Sequence, residues 1–526
     1  MLQAVMEGEA VPLRYVSIVV AAVVGVSVVG WLSTTADAQL ADITQTPNRA
    51  NAGIQKSLEE QIGAGQGDMM TPESSMFIIQ RDPFRAIRRG RQVFQRKFTV
   101  AQGVGPRVDD GVGDIETTPA LGAGLADSCA GCHGRPRGSA GFGGSVFTRP
   151  ESRDAPHLFG VGLKEMLADE ITADLRAIRS RAIDLAEQQG KSVTRSLSSK
   201  GIDYGSVTAH PDGRVDTSKV EGVDPDLRVR PFLAHGATIS LREFIVGAFD
   251  GEMGLQAQDP ELTTAATGGR MVTPAGMVLD GALDRIEPPR ELTETPVATG
   301  HEVPTSLVDH LEFYLLNYFK PGTYRQSAET EAGRQLMERI GCTQCHVPDL
   351  QLTNDRRVAD VETRYDPQRG GLNNLFATAT PLHDEVDDGS GIPPLKYPLL
   401  QPFMVRDIFD IFTDFKRHDL GPTFHERDFD GTVTTQFMTT PLWGVGSTAP
   451  YGHDGRSINL EEVILRHGGE AQASREAFTR LPESQQYAVL RFLASLVLFP
   501  PDDTASNLDP DSISLRMLFN DVGDAE

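Results

Sequence analysis

The sequence predicts a mainly α fold of two tandem copies of one unit, the first enlarged by a helical and β-hairpin insertion. Three observations lead there. Gly90-Arg91-Gln92-Val93-Phe94 recurs as Gly333-Arg334-Gln335-Leu336-Met337. Each copy sits in a helix-like segment ahead of a Cys-x-x-Cys-His. Each half then closes on an apolar helix that ends at a proline: Leu311-Glu312-Phe313 runs to Pro321, and Leu490-Arg491-Phe492 runs to Pro500. The units are 81–321 and 328–501. A chain of 526 residues is too long for one core, since domains hold about 100–200 residues.

In chain order, Val16 to Leu32 is an apolar run with no charge, followed by Ala36-Asp37-Ala38, a small-x-small cleavage pattern. Residues 1–38 read as a signal peptide cut after Ala38; the run is also near the lower limit for an uncleaved membrane anchor. Either way the body is exported, to the periplasm or its equivalent. Residues 39–80 lack periodicity and read as a linker. The arginine run Arg81, Arg85, Arg88, Arg89, Arg91, Arg96 and Lys97 reads as a solvated helix face. In the insertion, Leu167, Ile171, Leu175, Ile178, Ala182 and Leu185 share one face of a helix over 163–189. Val207-Thr208-Ala209, a turn at His210-Pro211-Asp212-Gly213 and Arg214-Val215-Asp216 then read as a β-hairpin. Residues 502–526 form an acidic tail.

Lys+Arg 49 against Asp+Glu 73 gives a net charge of −24, which argues against a nucleic-acid partner, because phosphates recruit Lys and Arg. Four cysteines in a chain this size are no disulfide scaffold. They form Cys129-Ala130-Gly131-Cys132-His133 and Cys342-Thr343-Gln344-Cys345-His346. Cys-x-x-Cys-His is the attachment pattern of c-type haem. Two thiols add across the vinyl groups, and the adjacent His places an imidazole under the iron. A zinc site would need a fourth ligand, and a redox thiol pair would not need His next door twice. The expected cofactors are two covalent haems c, and each unit becomes a cytochrome c-like domain with proximal ligand His133 or His346. The second axial position decides the chemistry: two strong ligands make a carrier, an open face binds peroxide or oxygen.

Pro441-Leu442-Trp443-Gly444-Val445-Gly446, with Thr448-Ala449-Pro450-Tyr451-Gly452-His453-Asp454-Gly455-Arg456, resembles the di-haem oxidoreductase family, which is similar to the bacterial di-haem cytochrome c peroxidases. Arg153 to Gly162 and His418-Asp419-Leu420-Gly421-Pro422 agree with it. In those peroxidases the C-terminal haem takes a distal Met fourteen residues beyond the His of the His-Asp-Gly motif. Here that position is His467, so the resemblance implies a His346/His467 pair, with Met438 as a rival ligand and a surface His as the bland alternative. The peroxidases place a distal His after the first motif. Here Gly141-Phe142-Gly143-Gly144 has none, which leaves the N-terminal iron open or served by His157 or His235. The peroxidase proton shuttle corresponds to Glu252, in Glu252-Met253-Gly254. A Ca²⁺ site between domains corresponds to Asp154, Thr448 and Pro450, where an Asp capping a turn is the equal alternative. Their bridging Trp has no counterpart, since Trp443 lies in another motif. His453 and Tyr451 are expected near propionates or the distal loop, and Arg135, Arg137 and Arg153 as propionate partners.

The resemblance implies an enzyme that takes electrons from a small donor, a cytochrome c or a copper protein, and reduces hydrogen peroxide. The alternative is a non-catalytic di-haem electron-transfer cytochrome, which His467 and the missing Trp favour.

Overall fold

The computed structural model describes residues 57–98, 126–134, 140, 145–146, 153–289, 302–318, 322–323, 326–365, 375–399, 405–427 and 431–498. Among them the helices are α1 (Leu58–Ile62), α2 (Ser75–Arg81), α3 (Pro83–Gln95), α4 (Cys129–His133), α5 (Val161–Gln189), α6 (Leu241–Gly251), α7 (Pro260–Ala266), α8 (Thr305–Asn317), α9 (Ala328–Arg339), α10 (Leu460–Arg466), α11 (Gln472–Thr479) and α12 (Glu483–Ala494).

The expected mainly α fold of two cytochrome c-like domains is corrected. Strands run through much of the described chain, in eight two-stranded ladders and one three-stranded sheet. Between Leu350 and Met438 the described secondary structure is strand alone. Many of these strands are two to four residues long and pair with segments distant in sequence, as Arg417–His418 pairs with Phe437–Met438. Such short ladders are set by tertiary pairing and leave no period-2 pattern long enough to read.

What recurs is a helix crossing beside each motif. α3 packs on α8, and α9 packs on α12. The repeated glycines sit at these crossings. A Cβ at Gly90 would lie 2.0 Å from the His310 carbonyl oxygen, and one at Gly333 would lie 2.0 Å from that of Ala488. Only glycine lets the backbones approach so closely. α3 also begins well: Asp82 accepts from the Arg85 N–H and Pro83 occupies the first turn, where its missing N–H costs nothing.

The insertion helix α5 starts two residues before the predicted helix and buries Leu167, Ile171, Leu175 and Ala182. Behind it, Val193–Ser199, Ile202–Ala209 and Val215–Val220 form one antiparallel sheet. The core is continuous across the N-terminal half and into Leu350, Ile411, Met438 and Trp443. A second cluster gathers Leu336, Phe412, Phe478 and Phe492 around α9 and α12.

Two further expectations are revised. Residues 57–80, read as linker, carry α1 and α2, with Ser75 and Ile78 fully buried. The arginine run is not a solvated face. Arg81, Arg89, Arg91 and Arg96 are buried, while Arg88 and Lys97 stay exposed. Arg81 pairs with Asp388 at 2.6 Å, Arg89 with Glu73 at 2.8 Å, and Arg96 donates to Gln61 at 2.7 Å. Buried charge survives when it is paired or hydrogen-bonded. The signal-peptide segment, Gly141–Gly144, Arg135, Arg137 and the acidic tail lie outside the described residues.

Candidate functional site

Both Cys-x-x-Cys-His motifs open onto one continuous cavity of about 1140 Å³. A pocket for one small ligand holds about 300–1,000 Å³, so this space suits more than one group. Cys129, Cys132, His133, Cys342, Cys345, His346, His467, Glu252 and Met438 all line it. The four thiols are unbridged.

The first motif is the short helix α4 itself, started by Ser128, whose hydroxyl accepts from the Gly131 N–H at 3.1 Å. One turn thus presents Cys129, Cys132 and His133 together. The second motif follows α9 directly, through Gly341 and a 3₁₀ turn over Cys342–Gln344.

Three histidines of the cavity wall share one arrangement. His133 Nδ1 is bonded to the Pro156 carbonyl at 2.7 Å, His346 Nδ1 to that of Phe412 at 3.2 Å, and His467 Nδ1 to that of Val463 at 2.7 Å. A carbonyl on Nδ1 fixes that nitrogen as the N–H and leaves Nε2 as a lone-pair donor. Metal-ligating histidines are held in this way. Burial lowers the pKa of His133 and of His346 to about 4 and lowers that of His467. All three are therefore neutral, the ligating form. His467 is also near enough to disfavour charge on His346. Burial pushes the Cys129 thiol up to about 12 and the Cys342 thiol to about 11. Cys132 is raised too, first by burial and then by the Glu252 carboxylate, which places Glu252 beside the first motif. Glu252 is the half-buried C-cap of α6.

The cavity wall also fits a flat group. Gly247 and Gly251 lie four residues apart on α6 and line the cavity. Glycine in a helix costs about 1 kcal/mol relative to alanine. Neither residue has a left-handed φ, and an added Cβ would meet no described protein atom within 4 Å. The space they leave is one that a haem edge would fill.

The second half of the site is held by residues whose roles the sequence did not reveal. Buried His418 contacts Asp414 Oδ2 through Nε2 at 2.8 Å and Glu470 Oε2 through Nδ1 at 2.7 Å. Burial opposes its charge, but the bonds to Asp414, Cys345 and Glu470 outweigh that and raise its pKa to about 11. Glu470 follows His467 in the same loop, and its N–H bonds the Asp419 carbonyl at 2.9 Å. His418 therefore clamps the His467 loop beside Cys345. Asp454 works from the other side, pairing at 2.8 Å with Arg466, the neighbour of His467. The sequence signal was that His418 and Asp454 stand in segments that resemble the di-haem oxidoreductase family.

The remaining candidates are placed as follows. Met438 is buried on the cavity wall. His157 and His235 are half-buried there, and His157 is hydrogen-bonded to the backbone of Trp443. His453 stacks on Phe437 at 4.0 Å, and Tyr451 also lines the cavity. Trp443 is buried on the same wall, its Nε1 donating to the Phe409 carbonyl at 3.3 Å. Asp154 stands opposite Ser145 in a two-residue ladder, and its side chain, like that of Arg153, lies outside the described residues. Thr448 and exposed Pro450 are on the cavity wall.

Residues 396–496 match the model of the family described as "Di-haem oxidoreductase, putative peroxidase". This segment carries His418, Trp443, His453, Asp454 and His467. The match supports a di-haem redox function, haem as cofactor and an oxidoreductase class. No curated protein matches the chain. Among solved structures, hydrazine synthase of Kuenenia stuttgartiensis is similar at 12% identity over 86% of this chain and 98% of that one, with a TM-score of 0.34. A MauG-like protein associated with microbial copper homeostasis is similar at 14% identity over 67% of this chain and 92% of that one, with a TM-score of 0.25. At these TM-scores the likenesses carry no functional weight.

Proposed function

We propose that the chain is an exported di-haem c-type oxidoreductase that reduces hydrogen peroxide. The observation that carries this reading is that both attachment motifs, His467 and Glu252 line one cavity. Covalent haem, held by Cys129 and Cys132 and by Cys342 and Cys345, supplies one-electron chemistry and an iron at which peroxide can bind. The protein's part follows from its own residues. His346 and His467 offer two lone-pair nitrogens at the C-terminal end, which suits an electron-accepting centre. His133 offers one at the N-terminal end. Reduction of peroxide to two waters takes two electrons and two protons. The electrons come from a small donor, a cytochrome c or a copper protein. Glu252, beside Cys132, takes a proton from one peroxide oxygen and returns it to the other. The exported location rests on the apolar run before Ala36-Asp37-Ala38.

The alternative, a non-catalytic electron-transfer cytochrome, draws on His157 and His235, which stand on the same wall and would close the N-terminal position. Peroxide consumption by the two-haem protein with a reduced c-type cytochrome as donor separates the two. Turnover supports the enzyme. No turnover in either the oxidised or the half-reduced state supports the carrier.

A further inference from the structure

Lys164 is a cation on the cavity wall that the account above does not use. It stands in the first turn of α5, next to Gly160 and Val161, which line the cavity with it. Among the described residues its ammonium has no hydrogen bond and no ion pair. It stands over the face of Phe232, 5.7 Å from Nζ to the ring centroid. Burial lowers its pKa to about 8, and no carboxylate counteracts that. Lys164 and His133 are both close enough to His157 to disfavour charge on it, which sets Lys164 at the N-terminal end of the cavity. The start of α5 has no side-chain cap, so a 29-residue helix turns the positive end of its dipole to the same wall. Lys164 is half-buried on the cavity wall, and an ammonium partly withdrawn from water without a partner is unfavourable. The position calls for an anion.

We infer that Lys164 and the uncapped start of α5 form the seat of a propionate carboxylate of the haem attached at Cys129 and Cys132. This rests on the reading of a covalent haem at His133. A haem fixed there brings two carboxylates into a largely apolar cavity, and they need a donor as much as Lys164 needs an acceptor. An external anionic substrate would meet the same chemistry only transiently and would leave the ammonium bare between turnovers.

The test is potentiometric, on the holoprotein. Intact mass first establishes that two haems are attached; a protein without covalent haem fails the underlying reading rather than this one. With both haems present, Lys164→Met removes a cation beside a carboxylate, so the midpoint potential of one haem falls, the other stays, and Lys164→Arg restores the first. The propionate bending bands in the resonance Raman spectrum move in K164M and return in K164R. If K164M does not take up haem, Lys164→Gln, uncharged and of similar reach, replaces it. Unchanged potentials and Raman bands in the uncharged variant, at full haem content, overturn the assignment. They would leave Lys164 to an external anion or to a residue outside the described segments.

Discussion

Replacing Gly333 by alanine would put a methyl group 2.0 Å from the Ala488 carbonyl oxygen and 2.9 Å from Phe492 Cβ. The obstacle is α12 backbone and cannot rotate away. The helices must part by about 1 Å, which belongs at the upper end of overpacking costs, about 3 kcal/mol. Alanine returns about 1 kcal/mol of helix propensity. The net loss is about 2 kcal/mol, which for a unit of 150–250 residues lowers Tm by about 4–8 °C. Because α9 runs directly into Cys342, the same shift disturbs the second attachment site, so one haem's absorption bands change with the stability. Gly90→Ala should behave alike against α8 and disturb the other haem. Thermal unfolding followed in the far ultraviolet and in the haem bands is the assay. A G333A protein melting within about 1 °C of wild type would show that the crossing is looser than described and would refute the reasoning.

Four other outcomes follow from the site and the core. Glu252→Gln should lower peroxide turnover about 10²–10⁴-fold, the usual worth of a general base, with both haems retained; an unchanged rate removes Glu252 from the mechanism. His467→Gly should convert one low-spin haem to high-spin in the absorption and magnetic circular dichroism spectra, and unchanged spectra would mean that His467 is no ligand. Asp454→Asn should weaken the hold on Arg466 and broaden or shift the same haem's signals without loss of covalent haem, whereas His467→Gly changes its spin state outright. The last concerns pH. Arg242 is fully buried among Asp259, Glu261, Asp309 and Glu312, at 2.8 to 3.0 Å. Burial pushes the Asp309 carboxyl up to about 7 from an ordinary 3.8, against the pull of Arg242. The folded protein then binds a proton that the unfolded chain has released. The contribution of Asp309 to stability therefore falls as pH rises from about 4 to about 7. Asp309→Asn lacks this component, so plots of Tm against pH for the two should diverge over that range; parallel plots would contradict it.

The legible parts of this chain are the local ones. The stripe from Leu167 to Leu185 repeats every three or four residues, and α5 is there. The turn at His210–Gly213 carries its own signal, and the His210 N–H bonds the Arg214 carbonyl at 2.8 Å. The sheet's first strand, Val193–Ser199, was missed because its sequence is mostly polar and half its positions are exposed. The ladders between Leu350 and Met438 were missed because two or three residues cannot show a period. The arginine run misled for a related reason. Asp388, which buries Arg81, is 307 residues away, and no local pattern announces a distant partner. The site divides in the same way. Cys-x-x-Cys-His is contiguous and needed no structure. His418 meets Glu470, 52 residues away, only in the fold, with Asp414 on its other nitrogen. Lys164 carries no sequence signal of its own; its place on the cavity wall comes from the fold.

The central claim is that one iron is available to peroxide while the other is held by His346 and His467. Low-temperature electron paramagnetic resonance of the two-haem protein, fully oxidised and then half-reduced, reads this directly. The account predicts a high-spin ferric signal from one haem in at least one of those states, beside a low-spin signal from the other. Two low-spin signals when oxidised, with no high-spin species after half-reduction, would mean that both irons are closed and would contradict it.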